Sequence, residues 1–197
     1  MYRWFYTSSG KLVIAGKNAE QNEEIMRNVK PEDIVLHTAS PGSPFCVIRK
    51  PNAQDLKEAA IFCACFSQDW KRGKKKAEVH IFKGEQVYKE KNMQKGTFGV
   101  LGKVFRKKVE LKLTLVFQKD EKGKSRLRAV PLSCYKHFCF LDKKNKIPKI
   151  VLKPGKIKKE EAAHKISLEL AKCGQKISIE EILQAIPAGG FEICKGW

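Results

Sequence analysis

The sequence has no hydrophobic run long enough to cross a bilayer as a helix. Its longest uninterrupted apolar segment is the eight residues from Ala59 to Phe66, whereas a transmembrane helix needs about 20. The N-terminus lacks a basic region followed by an apolar block and a small-residue cleavage site, so it does not read as a signal peptide. We therefore predict a cytoplasmic protein with no membrane partner.

Spacings typical of metal sites and of common catalytic motifs are also missing. The seven cysteines include no CxxC pair, and their odd number favours free thiols in a reducing compartment. No GxSxG or HExxH motif occurs, and Gly96, Gly99 and Gly102 fit neither a dinucleotide loop nor a Walker loop. These absences predict a protein without metal or cofactor, and they leave His37 as the one candidate for acid–base chemistry.

Acidic residues are scarce relative to basic ones. Lysine and arginine number 40 against 21 aspartates and glutamates, which gives a formal net charge of +19 and a pI near 9.7. Residues 1–118 (22 basic, 12 acidic) carry +10 and residues 119–197 (18 basic, 9 acidic) carry +9, so both parts are basic. Such a charge indicates a polyanionic partner. A solvated surface in a salty or hot cell is the alternative.

Periodicity and chain breakers predict an α/β (α+β) fold with a mixed, largely antiparallel sheet. Two N-terminal helices are expected to begin at the caps Asn18 and Asn52, and the second is expected to reach Gly73. The strict alternation of residues 109–117 predicts one strand with one buried and one wet face. Further strands are predicted at 2–7, 11–15, 33–37, 45–49, 77–82, 149–152 and 191–194.

The C-terminal part is predicted to form a basic extension. It comprises a β-hairpin at 127–133 and 136–141 and two helices, the first at 157–172 and the second capped by Ser178. We predict a domain at 1–118 and the extension at 119–197, with packing into a single domain as the alternative.

The junction from Gly16 to Asn22 is the first candidate binding site. A helix start offers unpaired N–H groups and partial positive charge, and Lys17 adds a full charge. Asn18, Gln21 and Asn22 share one helical face. The junction therefore suits a phosphate, although an ordinary capped helix after a tight turn would have the same sequence.

The second candidate site is the strand end at His37 with the following turn, which includes Gly42 and Ser43. A histidine there could stack on a base, hold a phosphate or move a proton. The alternative is a partly buried histidine that hydrogen-bonds the turn.

Lysine and arginine clusters form the third group of candidates for phosphate contact. For the cluster at residues 71–76 the alternative is stabilisation of the helix dipole by cations at the end of the helix. For the clusters at 103–108 and 143–159 the alternative is a solvated hairpin. The first two clusters comprise Lys71, Arg72, Lys74, Lys75 and Lys76, and Lys103, Arg106, Lys107 and Lys108. A third run of eight lysines spans residues 143–159 without an acidic residue.

Four segments, taken in their order along the chain, resemble the motifs of a known family. They are TSSGKLVIAGKNAEQNE, DIVLHTASPGSP, AAIFCACFSQDWKRG and KGTFGVLGK, all within residues 2–117. In this order they resemble the C-terminal RNA-binding domain of the NFACT proteins. The resemblance implies an α/β domain that binds RNA, and it strengthens the sites at Gly16–Asn22 and His37–Ser43. Full-length members recognise large ribosomal subunits that carry stalled chains and help extend those chains with tRNA.

The chain begins directly at this domain, so the resemblance implies a standalone, archaeal form without tail-extension chemistry. We predict a non-enzymatic module that docks on structured RNA, tRNA or rRNA, with the large ribosomal subunit as a further expected partner, in ribosome quality control or rescue. Two alternatives are an RNA-modifying enzyme or subunit that uses His37, and a structural or DNA-binding basic protein.

Overall fold

The computed structural model describes the backbone of residues 2–141 and 147–195. Within these ranges the chain forms an α/β fold, as the sequence predicted, and every strand pair is antiparallel. The strands are β1 Arg3–Tyr6, β2 Leu12–Ala15, β3 Ile34–Thr38, β4 Cys46–Ile48, β5 Lys76–Lys83, β6 Val87–Tyr88, β7 Gly99–Val100, β8 Phe105–Glu110, β9 Leu113–Lys119, β10 Ser125–Pro131, β11 Ile150–Ile157 and β12 Phe191–Lys195. The helices are α1 Ala19–Arg27, α2 Ala53–Cys65, α3 Gln68–Lys71, α4 Leu132–Leu141, α5 Lys159–Ala171 and α6 Ile179–Ala185.

A six-stranded sheet in the order β1-β2-β4-β3-β5-β8 organises the first part of the chain. Helix α2 packs on one face of this sheet, where Leu36 and Val79 are fully buried. On the opposite face, Met26 of α1 packs against Val35 and Phe82. The sheet therefore has a helix on each side, and the strand ends beside α1 border the site described below.

A four-stranded sheet in the order β10-β9-β11-β12 organises the second part. Helices α5 and α6 pack together and contact β10, β11 and β12. One continuous cluster of buried side chains includes Phe62 and Trp70 beside the first sheet and Leu115, Leu152 and Phe191 from the second. The two sheets thus share a hydrophobic core.

Two buried polar side chains connect the sheets. The Gln118 amide, from β9, donates to the Tyr6 carbonyl and accepts from the Tyr6 amide, both at 2.8 Å, along the free edge of β1. Glu58, on α2, accepts hydrogen bonds from Ser8 and from Ser133 at the start of α4. These bonds satisfy polar groups that packing has removed from water.

Most predicted caps are confirmed. Asn18 accepts from the Gln21 amide, Ser178 accepts from the Glu181 amide, and Asn52 forms a reciprocal capping box with Asp55. Among the described residues, no helix combines the length and apolar composition that a membrane span requires.

The second helix is shorter than predicted. It ends at Cys65, and α3 then begins with Ser67 as its N-cap, whose hydroxyl accepts from the Asp69 amide and donates to the Ala64 carbonyl. A serine that bonds both neighbouring turns competes with continuous helix. The helical spacing of apolar residues continues past Phe66 despite this break, so it predicted one helix where the chain forms two.

The prediction of one strand at 109–117 is wrong. Strand β8 ends at Glu110 and β9 begins at Leu113, and the two strands belong to different sheets. The prediction of a wet face is also wrong for β9, because Thr114 and Val116 are buried like Leu113 and Leu115. Strand β9 lies between β10 and β11 and is covered on both sides.

The predicted hairpin at 127–133 and 136–141 is also wrong in its second arm. Residues 132–141 form helix α4, and β10 instead forms a hairpin with β9 through a turn at Asp120, whose carboxylate accepts from the Lys122 and Lys124 amides. Short apolar runs do not distinguish a buried helix from a strand. Lys143, Lys144 and Lys146 of the third lysine run lie outside the described residues.

Candidate nucleic-acid interface

A cleft of about 560 Å³ lies between the start of α1, the β3–β4 turn, residues 94–100 and α3. It brings together candidates that the sequence separates by up to 55 residues. The predicted site residues that line it are Gly16, Lys17, Asn18, Asn22, His37, Gly42, Ser43 and Lys71. Their roles in RNA binding remain predictions.

The α1 wall depends on close contact between Gly16 and Asn22. A Cβ atom at Gly16 would lie 2.1 Å from Asn22 Oδ1, so no larger residue fits without displacement. Asn22 is nearly buried, and its Oδ1 accepts from the Phe45 amide at 3.3 Å. Gln21 does not line the cleft but accepts from the Lys17 amide at 3.1 Å. The asparagine and glutamine side chains therefore fix the helix start, and leave Lys17 at the cleft wall.

The β3–β4 turn forms the opposite wall. The His37 ring lies against Phe45, with centroids 4.5 Å apart and planes at 31°. Burial lowers the pKa of His37. Hydrogen bonds with the Ser43 and Thr38 backbones act to raise this pKa, but burial is the larger effect. The imidazole is therefore neutral at pH 7, which favours a role in shape and stacking over one as a phosphate-binding cation.

The turn is held rigid by hydroxyl groups. Ser43 Oγ donates to the Ser40 carbonyl at 2.8 Å and contacts the Thr38 hydroxyl, while Ser40 Oγ donates to Asp69 Oδ1 at 2.7 Å. Gly42, at φ +75°, accepts from Gln68 Nε2 at 3.3 Å. The Ser43 hydroxyl is thus engaged in hydrogen bonds within the protein.

Residues 94–100, which the charge and motif analysis did not include in the site, close the third side. Gly96 donates its amide to Glu23 Oε2 at 2.8 Å, and Lys89 Nζ bonds the same oxygen at 3.0 Å. Lys89 also lies 4.7 Å above the Phe98 ring, which meets Phe45 edge to face at 5.4 Å. The KGTFGVLGK segment of the family resemblance was a sequence signal for this wall.

Gly96 offers a direct test of this wall. At Gly96→Ala the new Cβ would lie 2.7 Å from Ala19 Cα, whereas Gly123, with a similar positive φ, has no atom within 4 Å. We expect Gly123→Ala to cost about 1–2 kcal/mol of unfolding free energy from backbone strain alone. Gly96→Ala should cost about 1–3 kcal/mol more, because the loop must move off α1. Urea denaturation measures both, and equal losses would contradict the contact.

Cations concentrate at one end of the cleft. Arg3 Nη1 donates to the Gly16 carbonyl at 2.6 Å, and its guanidinium lies 5.3 Å from the Phe66 ring centroid. Lys17 and Lys71 line the cleft, and Lys159 lies beside them. Within the described residues, none of Arg3, Lys17, Lys71 and Lys159 has a carboxylate at ion-pair distance.

Burial and, to a smaller extent, repulsion from neighbouring cations lower the pKa values of Lys17 and Lys159. Burial lowers the pKa of Lys17, and the charges of Arg3 and Arg128 lower it further. Burial also lowers the pKa of Lys159, with further lowering by Arg3, Lys17 and Lys71 that exceeds the help from Glu160. A bound anion would relieve this repulsion. Arg3 was not among the predicted site residues, although the alternation of β1 places it on the same face as the core residue Phe5.

The other predicted cations do not join this end of the cleft. Lys74 pairs with Asp69 at 2.7 Å, and Lys76 lies opposite Glu110. Arg72 and Lys75 are exposed on the same connection but are not part of the cleft lining. Their contact with RNA stays a prediction.

The second cluster divides between the two faces of β8. Arg106 faces His80, which in turn faces His37, so these three positions form a row across β8, β5 and β3 on the cleft side of the sheet. Lys108 shares that side, whereas Lys107 faces Val79 and projects from the opposite side. Lys103 is exposed in the loop before β8.

A basic cleft with aromatic walls on an α/β scaffold is typical of the class of nucleic-acid-binding domains. In agreement with this, residues 1–102 match the family model described as the NFACT protein RNA binding domain. The chain therefore belongs to the NFACT RNA-binding domain family, as its motifs predicted. The family is one of RNA-binding domains and not of enzymes. Among the described residues, no group of three potential metal ligands occurs.

Relatives extend the similarity beyond the matched segment. The archaeal Rqc2 homolog aRqcH of Methanocaldococcus jannaschii is 28% identical over 98% of this chain, which spans 29% of that protein. The human ribosome quality control complex subunit NEMF is 35% identical over 35% of this chain, or 7% of its own length. The solved C-terminal part of the Streptococcus suis fibronectin/fibrinogen-binding protein aligns with 53% of this chain and 44% of its own, with a TM-score of 0.48 and 22% identity.

Proposed function

We propose that the chain docks on structured RNA, tRNA or rRNA, through the cleft and acts in ribosome-associated quality control. The observation that carries this proposal is the group of cations without carboxylate partners at the cleft end, Arg3, Lys17, Lys71 and Lys159. Such a group is costly in a free protein, and it becomes favourable when phosphates replace water around it.

The names of the relatives support the setting. One relative is an Rqc2 homolog and another is a subunit of the ribosome quality control complex. We extend that setting to this chain and propose the large ribosomal subunit and its tRNA as the source of the bound RNA. Because this chain spans under a third of the archaeal relative, this extension concerns RNA docking and not the other activities of the longer proteins.

The form of the cleft favours backbone docking over base reading. Its cations are positioned by the fold, with Arg3 fixed on the Gly16 carbonyl, while Asn18, Gln21 and Asn22 are used for local hydrogen bonds. Phosphate contacts fix the register of a protein on its nucleic acid without reading sequence. The domain is therefore expected to select RNA by shape.

Salt dependence of tRNA binding tests the proposal. We expect the logarithm of the association constant to fall linearly with the logarithm of the salt concentration, with a slope of about −3 to −7 for roughly four to eight phosphate contacts. Fluorescence anisotropy with labelled tRNA measures the slope, and duplex DNA at the same salt is the control. A flat response would contradict the proposal, and tighter binding to duplex DNA would favour a DNA-binding protein instead.

A further inference from the structure

A second cavity of about 170 Å³ adjoins the cleft between β1, β10 and α6. Arg3, Lys17 and Phe66 line both spaces, so they meet at these side chains. The far wall comes from Arg128 and Gln184, which lie beyond the residues 1–102 that match the family. The cavity is therefore a feature that this chain builds from both of its parts.

Arg128 is the central cation of this cavity. Its guanidinium lies 4.0 Å from the centroid of the Trp4 ring, and its Nη1 donates to the Leu127 carbonyl at 2.9 Å. Its Nε is buried and has no hydrogen-bond partner among the residues that the structure describes. A buried donor without a partner costs free energy, so a ligand that accepts from it would be bound favourably.

The charge balance of the cavity favours an anion. Arg126 is neutralised by Asp120 at 3.2 Å. Among the described residues the lining includes one carboxylate, Glu181, which accepts from the Leu127 amide at 3.2 Å. Three cations then remain against that carboxylate, namely Arg3, Lys17 and Arg128. Burial and the charge of Arg126 lower the pKa of Arg128 to about 10, although the carboxylates of Glu181 and Asp120 act to raise it.

We propose that this cavity is a second phosphate subsite, in which Arg128 binds a phosphate of the same RNA that occupies the cleft. A guanidinium presents a planar set of donors that matches phosphate oxygens, and the Trp4 ring fixes its plane. The RNA path then continues from the cleft past Arg3 and Lys17 onto β10. This inference rests on the proposed RNA binding and adds the contribution of residues 119–197 to it.

Arg128→Gln tests the subsite with unfractionated tRNA as the probe. Arg27→Gln is the matched control, because Arg27 is exposed at the far end of α1, lines neither space and removes the same charge. We expect Arg128→Gln to weaken binding about five- to tenfold and to reduce the salt slope by about 0.7–0.9. Arg27→Gln should leave both quantities near their wild-type values.

The outcomes separate the two proposals. If wild type binds tRNA and Arg128→Gln matches Arg27→Gln, the subsite is wrong while the RNA-binding proposal stands. If wild type shows no salt-dependent binding, both fail. Should Arg128→Gln unfold, tryptophan emission decides: saturating tRNA must change the emission of wild type more than that of Trp4→Phe, because the indole lies under Arg128. Equal changes would overturn the subsite.

Discussion

Replacement of Glu58 by alanine is expected to lower the free energy of unfolding by about 3 kcal/mol. Glu58 is fully buried and accepts from the Ser8 amide and hydroxyl at 2.8 Å, from Gln54 Nε2 at 2.9 Å and from Ser133 Oγ at 2.7 Å. Its removal leaves those donors without an acceptor, and it cuts a link between residues 1–118 and residues 119–197. Chemical denaturation measures the loss.

The pH dependence of that loss identifies the carboxylate as its cause. Burial alone would raise the pKa of Glu58, but its hydrogen bonds outweigh burial and the pKa is lowered. Because the pKa of Glu58 is lower in the folded state, the carboxylate stabilises the fold at pH values above its unfolded-state pKa of about 4.3. This stabilisation is lost as the pH falls through the folded-state pKa. The difference between wild type and Glu58→Ala should therefore be full at pH 7 and should narrow below about pH 4.

Glu161→Ala is the control for Glu58→Ala. Glu161 is exposed on α5 and pairs with Lys165 at 2.7 Å, so its loss should cost under about 0.5 kcal/mol. A Glu58→Ala variant as stable as this control would mean that the two parts of the chain do not depend on the Glu58 network.

The double variant Lys17→Ala, Lys71→Ala should bind tRNA about 10- to 100-fold more weakly than wild type. Both lysines line the cleft without a carboxylate at ion-pair distance among the described residues. Loss of two phosphate contacts should also reduce the salt slope by about 1.4–1.8. Anisotropy titrations at several salt concentrations give both quantities.

Stability distinguishes a binding effect from a folding effect in this variant. Because burial and neighbouring cations lower the pKa of Lys17, its charge opposes folding at neutral pH, and its removal should leave the protein equally or more stable. Lys165→Ala, Lys172→Ala is the charge-matched control, since both lysines pair with glutamates on α5. If that control weakened tRNA binding as much, net charge and not the cleft would account for affinity.

Local sequence determined much of the fold. The caps at Asn18, Asn52 and Ser178 start their helices as predicted, because a cap is a contact between residues three apart. Period-two alternation located most strands of the first sheet for the same local reason. The family motifs also led to the RNA-binding domain before any contact was known.

Long-range packing determined the structure of the segments for which the sequence prediction was wrong. The apolar run at 132–141 becomes helix α4 against β9, and the alternation at 109–117 is divided between two sheets. No residue within either segment carries that information, because it depends on which surface the segment meets. The serine at position 67 was the one local signal of the break between α2 and α3.

Composition alone determined that this is a strongly basic protein, and the motif order determined its family, because both are properties of the chain read in one dimension. Only the tertiary structure decided which cations act together. It brought Arg3, Lys17, Lys71 and Lys159 to one end of a cleft, and it paired Lys74 with Asp69 outside the lining. Coulomb interactions depend on distance in space, and distance along the sequence does not predict it.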